Sequence, residues 1–343
     1  MSRAVACPDK FRGTLTAAAA AAAMARGLRT AGFDEVSEVP LADGGEGTLD
    51  TLLEARGGST RVATVTGPLG DPVDATWGVL PNGTAVVEMA RASGQALVGH
   101  RNDPLRATTR GTGELIAAAA RAGARRVLVG VGGSATTDGG LGAVEALNWS
   151  LAGLEVVVAC DVTTTFLDAA IVFGPQKGAS EAQVALLTRR LQRLAQEYER
   201  RTGVDVLDLE GAGAAGGLAG GLAAIGAQLE PGFEVVAHAA GLDRALHGAE
   251  LVVTGEGRLD EASLHGKVVG GVLEWAADEG VDHRAVIAGQ VTAEAREEVS
   301  VLGDVHVLAL TDRVQQAGEA FARAATLVEE AAVEVGLRVL DRS

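Results

Sequence analysis

Short apolar runs alternate along the chain with longer segments of helical period. Arg3–Cys7 is a short apolar strand, and Thr14 or Thr16 is placed to cap a helix through the alanine tract 17–23, ending near Gly32. Alanine is the best helix former, and its small side chain permits close packing. Residues 35–41 read as a second strand, and 44–53 lead into a second helix. This βαβ opening predicts a parallel sheet.

From Ser59 to Val98 the pattern changes. TRVATVTGPL, VDATWGVL and TAVVEMA are β-rich pieces joined by turns such as Pro81-Asn82-Gly83, which predicts antiparallel hairpins and a second domain. The α/β alternation then resumes, with a helix near 113–122 and strands at 126–131, 155–159, 250–254, 285–288 and 305–310. Residues 182–201 carry charges and leucines at helical spacing, the mark of a solvated amphipathic helix. The fold class is therefore α/β. A length of 343 residues suits two domains, or one large domain with an insertion.

Composition narrows the function. The net charge of −16 disfavours nucleic-acid partners, because such a surface repels phosphate backbones. No run reaches the ~18 apolar residues of a membrane span, and the opening MSRAVACPDK is unlike a signal peptide. The two cysteines, Cys7 and Cys160, lack metal-ligand spacing and suit buried thiols in a reducing cytoplasm. Glycine, at 47 residues, is present at about twice its usual share and clusters in loops with Asp, Glu and Lys.

Those loops follow the strands. They are Pro8-Asp9-Lys10-Phe11, Asp43-Gly44-Gly45-Glu46, Gly132-Gly133-Ser134 with Asp138-Gly139-Gly140, Asp161, and Gly255-Glu256-Gly257-Arg258-Leu259-Asp260. Ligands of open α/β sheets bind outside the carboxyl ends of strands, so five such loops predict an active site. Lysine is confined to Lys10, Lys177 and Lys267, each near Gly or Pro, while arginine fills every other basic position. A compact ammonium suits capture of phosphate or carboxylate as a point charge.

Phosphoryl transfer needs a backbone cradle, a metal held by carboxylates, cations on the migrating charge and a base. The chain offers each of these. ATP phosphates are expected on Gly132, Gly133, Ser134, Gly255, Glu256 and Gly257 with Lys267, and Mg²⁺ on one or two of Asp43, Asp138 and Asp161. Lys10, Lys177 and Arg258 would offset charge, and one of the aspartates would accept the hydroxyl proton. A GxxxxGK[ST] loop is absent, since Gly266-Lys267 precedes Val268. Gly211-Ala212-Gly213-Ala214-Ala215-Gly216 fits GxGxxG, but VDVLDLE before it alternates with acids. A tightly packed helix entry is expected there rather than a nicotinamide site.

Several stretches together resemble the bacterial glycerate kinase family. They are PDKFRGTLTA at 8–17, PLADGGEGT at 40–48, VTGPLGDPV at 65–73, GTGELI at 111–116, GGSATTDGG at 132–140 and VFGPQKGA at 172–179. GAGAAGGL at 211–218, VTGEGRLD at 253–260 and HGKV at 265–268 complete the series. The resemblance implies a flavodoxin-like α/β domain of residues 1–58 and 231–343, with a second α/β domain, 59–230, inserted into it. It further implies ATP and Mg²⁺ as cosubstrates, D-glycerate as acceptor and an active site in the interdomain cleft. Apart from the resemblance, a cytoplasmic monomer or homodimer is expected. Compared with the family, about 30 residues are missing before Asp161, by the length that ordinary loops rarely exceed. Asp161-Val162-Thr163-Thr164-Thr165-Phe166 also departs from the family pattern. These departures leave two further readings: a related kinase for another sugar acid or a polyol such as a cyclitol, and a catalytically silent binding protein.

Overall fold

The computed structural model describes residues 1–151 and 153–341 and divides into two compact units. Unit 1 comprises Met1–Asp43, Asp50–Arg56 and Val236–Ser343; unit 2 comprises Gly44–Leu49 and Gly57–Val235. The segment 1–58, expected whole in one domain, is thus divided, with 44–49 grouped into unit 2.

Unit 1 holds a five-stranded sheet built from β1 (Arg3–Ala6), β2 (Glu35–Glu38), β9 (Leu251–Leu259), β10 (His283–Val291) and β11 (Val305–Ala309). Every pairing is parallel, in the order β11-β10-β9-β1-β2. Numbered within the unit this is the flavodoxin-like 2-1-3-4-5 order, whose switch point falls between β1 and β9. The first helix, Ala17–Ala31, is capped by Thr16, whose side chain accepts from Ala19 N at 3.1 Å. It packs on the C-terminal helix Ala324–Leu340, which the pattern analysis did not assign. Gly27 is what lets the two approach, because a Cβ there would collide with the carbonyl oxygen of Glu329. Ala20, Ala23, Met24 and Leu28 are fully buried with Val328, Ala331 and Ala332 on this face of the sheet. Val269, Leu273, Ala295 and Val299 cover the other face.

β9 runs through the GEGRL segment expected as a loop. The reason is pairing, since Arg258 and Leu259 stand opposite Gln290 and Val291 of an equally extended β10. This register also explains Gly255, where a Cβ would collide with the Ile287 carbonyl oxygen.

Unit 2 holds a six-stranded sheet in the order β3-β4-β5-β6-β7-β8, with β3 (Ser59–Thr66), β4 (Pro72–Val79), β5 (Ala85–Glu88), β6 (Arg126–Gly130), β7 (Glu155–Ala159) and β8 (Gln228–Glu230). The first three strands pair antiparallel, as the hairpin pattern predicts, and the rest are parallel. The amphipathic helix spans Glu181–Thr202, closed by a Ser180–Gln183 capping box, and buries Leu187, Leu191, Ala195 and Tyr198. The GxGxxG motif is a kinked helix entry. Ala215, Gly216 and Gly217 are left-handed, and no strand precedes it among the described residues.

The connection from the helix Leu141–Ala146 to β7 is tight. Asn148 and Trp149 take φ of 51° and 60°, a conformation that costs a bulky residue about 1 kcal/mol or more. Trp149 is held there by aromatic packing on Tyr198 (centroids 5.6 Å apart) and by the Arg201 guanidinium 4.1 Å from its ring centre. Trp149→Ala should therefore destabilise the protein by about 2 kcal/mol, measured as a lower urea midpoint.

Candidate active site

Four strand ends of unit 1 supply one cavity of about 410 Å³. The segment after β1 contributes Asp9, Lys10, Phe11, Arg12 and Thr14, and the end of β9 contributes Glu256, Gly257 and Arg258. Gly289 and Gln290 come from β10, and Leu310 and Thr311 follow β11. Asp43, Asp260, Ser263 and Lys267 complete the polar lining. The turn after β1 is fixed by backbone bonds, with Asp9 N donating to the Gly255 carbonyl at 2.8 Å and Lys10 N to Asp9 Oδ1 at 2.6 Å. Close approach matters here too: a Cβ on Gly257 would lie 3.0 Å from Arg12 N.

Four carboxylates and four cations face this one cavity, and their electrostatics are unusual. Burial raises the Asp9 carboxyl to about 6, assisted by the neighbouring Asp43 charge. Burial raises Glu256 to about 7, with Asp9 and Asp260 adding to the rise while Ser263 and Lys267 oppose it. Ser263 belongs to a capping box with Asp260, its hydroxyl accepting from Asp260 N at 3.1 Å. Two acids that titrate near neutrality beside lysines and arginines form a site for proton transfer on an anionic ligand.

The other residues singled out from the sequence lie in unit 2. Asp138, expected to hold Mg²⁺ or to act as base, accepts five hydrogen bonds. Its Oδ2 accepts from Thr109 N (2.8 Å), Thr109 Oγ1 (2.9 Å), Thr108 Oγ1 (3.3 Å) and Gly142 N (3.3 Å), and its Oδ1 from Gly140 N (3.2 Å). Four of these five donors crowd Oδ2, which makes Asp138 an anchor for the DGG turn, while Oδ1 takes a single donor. Burial nonetheless raises its pKa. Lys177 is buried, with its side chain over the Phe173 ring, and donates from Nζ to the Thr136 carbonyl at 2.7 Å. Desolvation lowers it to about 8, opposed by the Asp138 charge.

Asp161 accepts from Gly232 N at 2.6 Å, at the start of the helix Gly232–Ala240, where a carboxylate offsets the helix dipole. Gly132, Gly133 and Ser134 form a turn against residues 45–46, where Cβ atoms on the two glycines would collide with Gly45 and Glu46. Gly255 is buried inside β9, and its carbonyl accepts from Asp9 N. Among the described residues, no group of three or more His, Cys, Asp or Glu is placed to hold a metal ion.

Sequence reasoning left out Asp9, Arg12, Gln290, Thr311 and Phe321 as site residues. The strand-end rule it applied to five loops would have reached Gln290 and Thr311 had it been carried on to the last two strands. It also missed Glu88. This buried carboxylate accepts from Gly47 N (2.8 Å) and Leu49 N (3.0 Å) and pairs with Arg91 at 2.5 Å, which fixes the turn after Asp43-Gly44-Gly45-Glu46. Glu88→Ala should destabilise unit 2 by about 3 kcal/mol, seen in urea unfolding, because two amides and a guanidinium lose their acceptor.

A flavodoxin-like parallel sheet with a charged pocket at its strand ends, in a chain that also carries a second α/β unit, is the build of a small-molecule enzyme. The profile of the Glycerate kinase family matches residues 4–151 and 147–340. The chain is 42% identical over 327 residues to the Escherichia coli (strain K12) protein named Glycerate 2-kinase, covering 84% of this chain and 85% of that one. It is 41% identical over 307 residues to the Bacillus subtilis (strain 168) Glycerate kinase, covering 78% and 80%. A crystal structure from Salmonella typhimurium LT2 that carries the provisional name glycerate kinase 2 superposes with a TM-score of 0.86 at 36% identity, covering 99% of both chains. The chain belongs to the glycerate kinase family, and it is a kinase. The two matched segments overlap at residues 147–151, in the short connection that contains Trp149. No helix among the described residues is long and apolar enough to cross a membrane.

Proposed function

We propose that this protein transfers the terminal phosphoryl group of ATP to a hydroxyl of D-glycerate, at the unit 1 pocket. The observation that supports this most is the convergence of Lys10, Arg12, Arg258 and Lys267 with Asp9, Asp43, Glu256 and Asp260 on one cavity at the strand ends. The cations bind the triphosphate and the acceptor's carboxylate and offset the charge that spreads over the migrating phosphoryl group. Glu256, poised near neutrality, accepts the proton of the attacking hydroxyl.

Mg²⁺ fits this donor set in its usual manner, on one or two carboxylates, with phosphate oxygens and water completing its shell. Asp9 and Asp43, close enough that the Asp43 charge adds to the rise that burial gives Asp9, are the pair that would hold it. When bound, the ion neutralises charge on the phosphates.

The names carried by the Escherichia coli and Bacillus subtilis relatives support glycerate as the acceptor. The test is Mg²⁺-dependent ADP release measured over a panel of hydroxy acids and polyols. Turnover is expected with D-glycerate; turnover of a cyclitol and none of D-glycerate would overturn the acceptor. Binding of ATP with no turnover of any acceptor would overturn the reaction.

A further inference from the structure

The cavity's lining is of two kinds, and the apolar kind has no use in handling phosphate or glycerate. Besides the charged groups, Phe11, Leu310, Ala320, Phe321 and Ala324 line it, and Phe11, Leu310 and Ala320 belong to one core cluster, a carbon wall. Most of it is ordinary core, since Phe11 and Leu310 are 2% and 1% exposed. Phe321 differs. It lies 58% exposed at the cavity lip, on the short helix Ala317–Ala322, with its ring edge 4.0 Å from where a Cβ of Gly13 would stand. A three-carbon hydroxy acid is polar on every face and gains nothing from such a wall. A nucleoside base has a flat apolar face and stacks on aromatic rings with little regard to its identity.

We infer that Phe321 is the stacking platform for the nucleoside base of the phosphoryl donor, so that the donor lies across the cavity with its base on the carbon wall and its phosphates among Lys10, Arg258 and Lys267. This rests on the proposed kinase reaction at the same pocket. It makes Phe321 a binding residue that determines donor affinity, with no part in the chemical step. Because the ring is largely exposed, removing it leaves the core intact.

The experiment compares wild type, Phe321→Ala and Phe321→Trp by calorimetric titration with Mg-ATP and, separately, with inorganic tripolyphosphate, which has no base. Phe321→Ala should weaken ATP about tenfold and leave tripolyphosphate unchanged. It should also raise the KM for ATP while kcat stays near wild type, and Phe321→Trp should restore both. Equal loss of ATP and tripolyphosphate, or no loss of ATP in a wild-type background that turns over, would overturn the platform alone. Failure of wild type to bind ATP at all would overturn the kinase reading with it.

Discussion

Glu256→Gln should lower kcat by about 10²- to 10⁴-fold, the span usual for loss of a positioned general base. In the wild type, activity should fall as pH drops through about 7, the value to which burial raises Glu256, because the protonated acid cannot take the hydroxyl proton. The variant should lose that acid limb along with its rate. A pH–rate profile unchanged by the substitution would remove Glu256 from the chemistry.

The same group has a stability consequence of opposite sign. Folded-state pKa values of about 6 for Asp9 and about 7 for Glu256 lie above the ordinary values of 3.8 and 4.5. The folded chain therefore holds protons that the unfolded chain releases. The stability they contribute is complete below about pH 4 and is lost as pH rises through 6 to 7. At pH 8 the ligand-free Glu256→Gln protein should melt higher than wild type, by about 2 kcal/mol once partial solvent exposure is allowed for. A charged pocket held together against its own repulsion is where stability and activity trade off.

Asp138→Ala should have the largest effect on folding, about 3–5 kcal/mol in urea denaturation. The change orphans donors from Thr108, Thr109, Gly140 and Gly142 and leaves the buried Lys177 ammonium without the nearby charge that supports it. Lys177→Met should be milder, since it removes the buried charge and keeps the volume. In the double variant the two losses should not add, because the second change relieves the uncompensated charge left by the first. An Asp138→Ala protein with wild-type unfolding would show that the DGG turn stands without its anchor.

Much of this protein was legible in its residues. The period of the apolar positions determined an α/β chain with a parallel βαβ opening, and the break in pattern near Ser59 marked the antiparallel hairpins. Gly and Asp placed after strands marked five loops, of which those at 8–11, 43–46 and 255–260 supply residues that line the pocket, because turns out of a strand need the conformations these residues allow. Motif order determined the family.

Other properties depended on what meets in space. Asp9, Asp138 and Asp161 are the same residue type, each in a loop that follows a strand. Only the fold decides that Asp9 is crowded by another carboxylate in a pocket, that Asp138 accepts from amides and hydroxyls of remote segments, and that Asp161 caps a helix. Charge state and ligand capacity follow from desolvation and from donors brought in by remote segments, and neither is encoded locally. Gly255 and Gly257 likewise read as loop, and are strand because β10 pairs alongside them. Sequence by itself determined the fold class, the family and the set of candidate charges. Tertiary structure decided which of those charges share a cavity and which are bound up in holding the fold, because burial and long-range hydrogen bonding act between residues far apart in the chain.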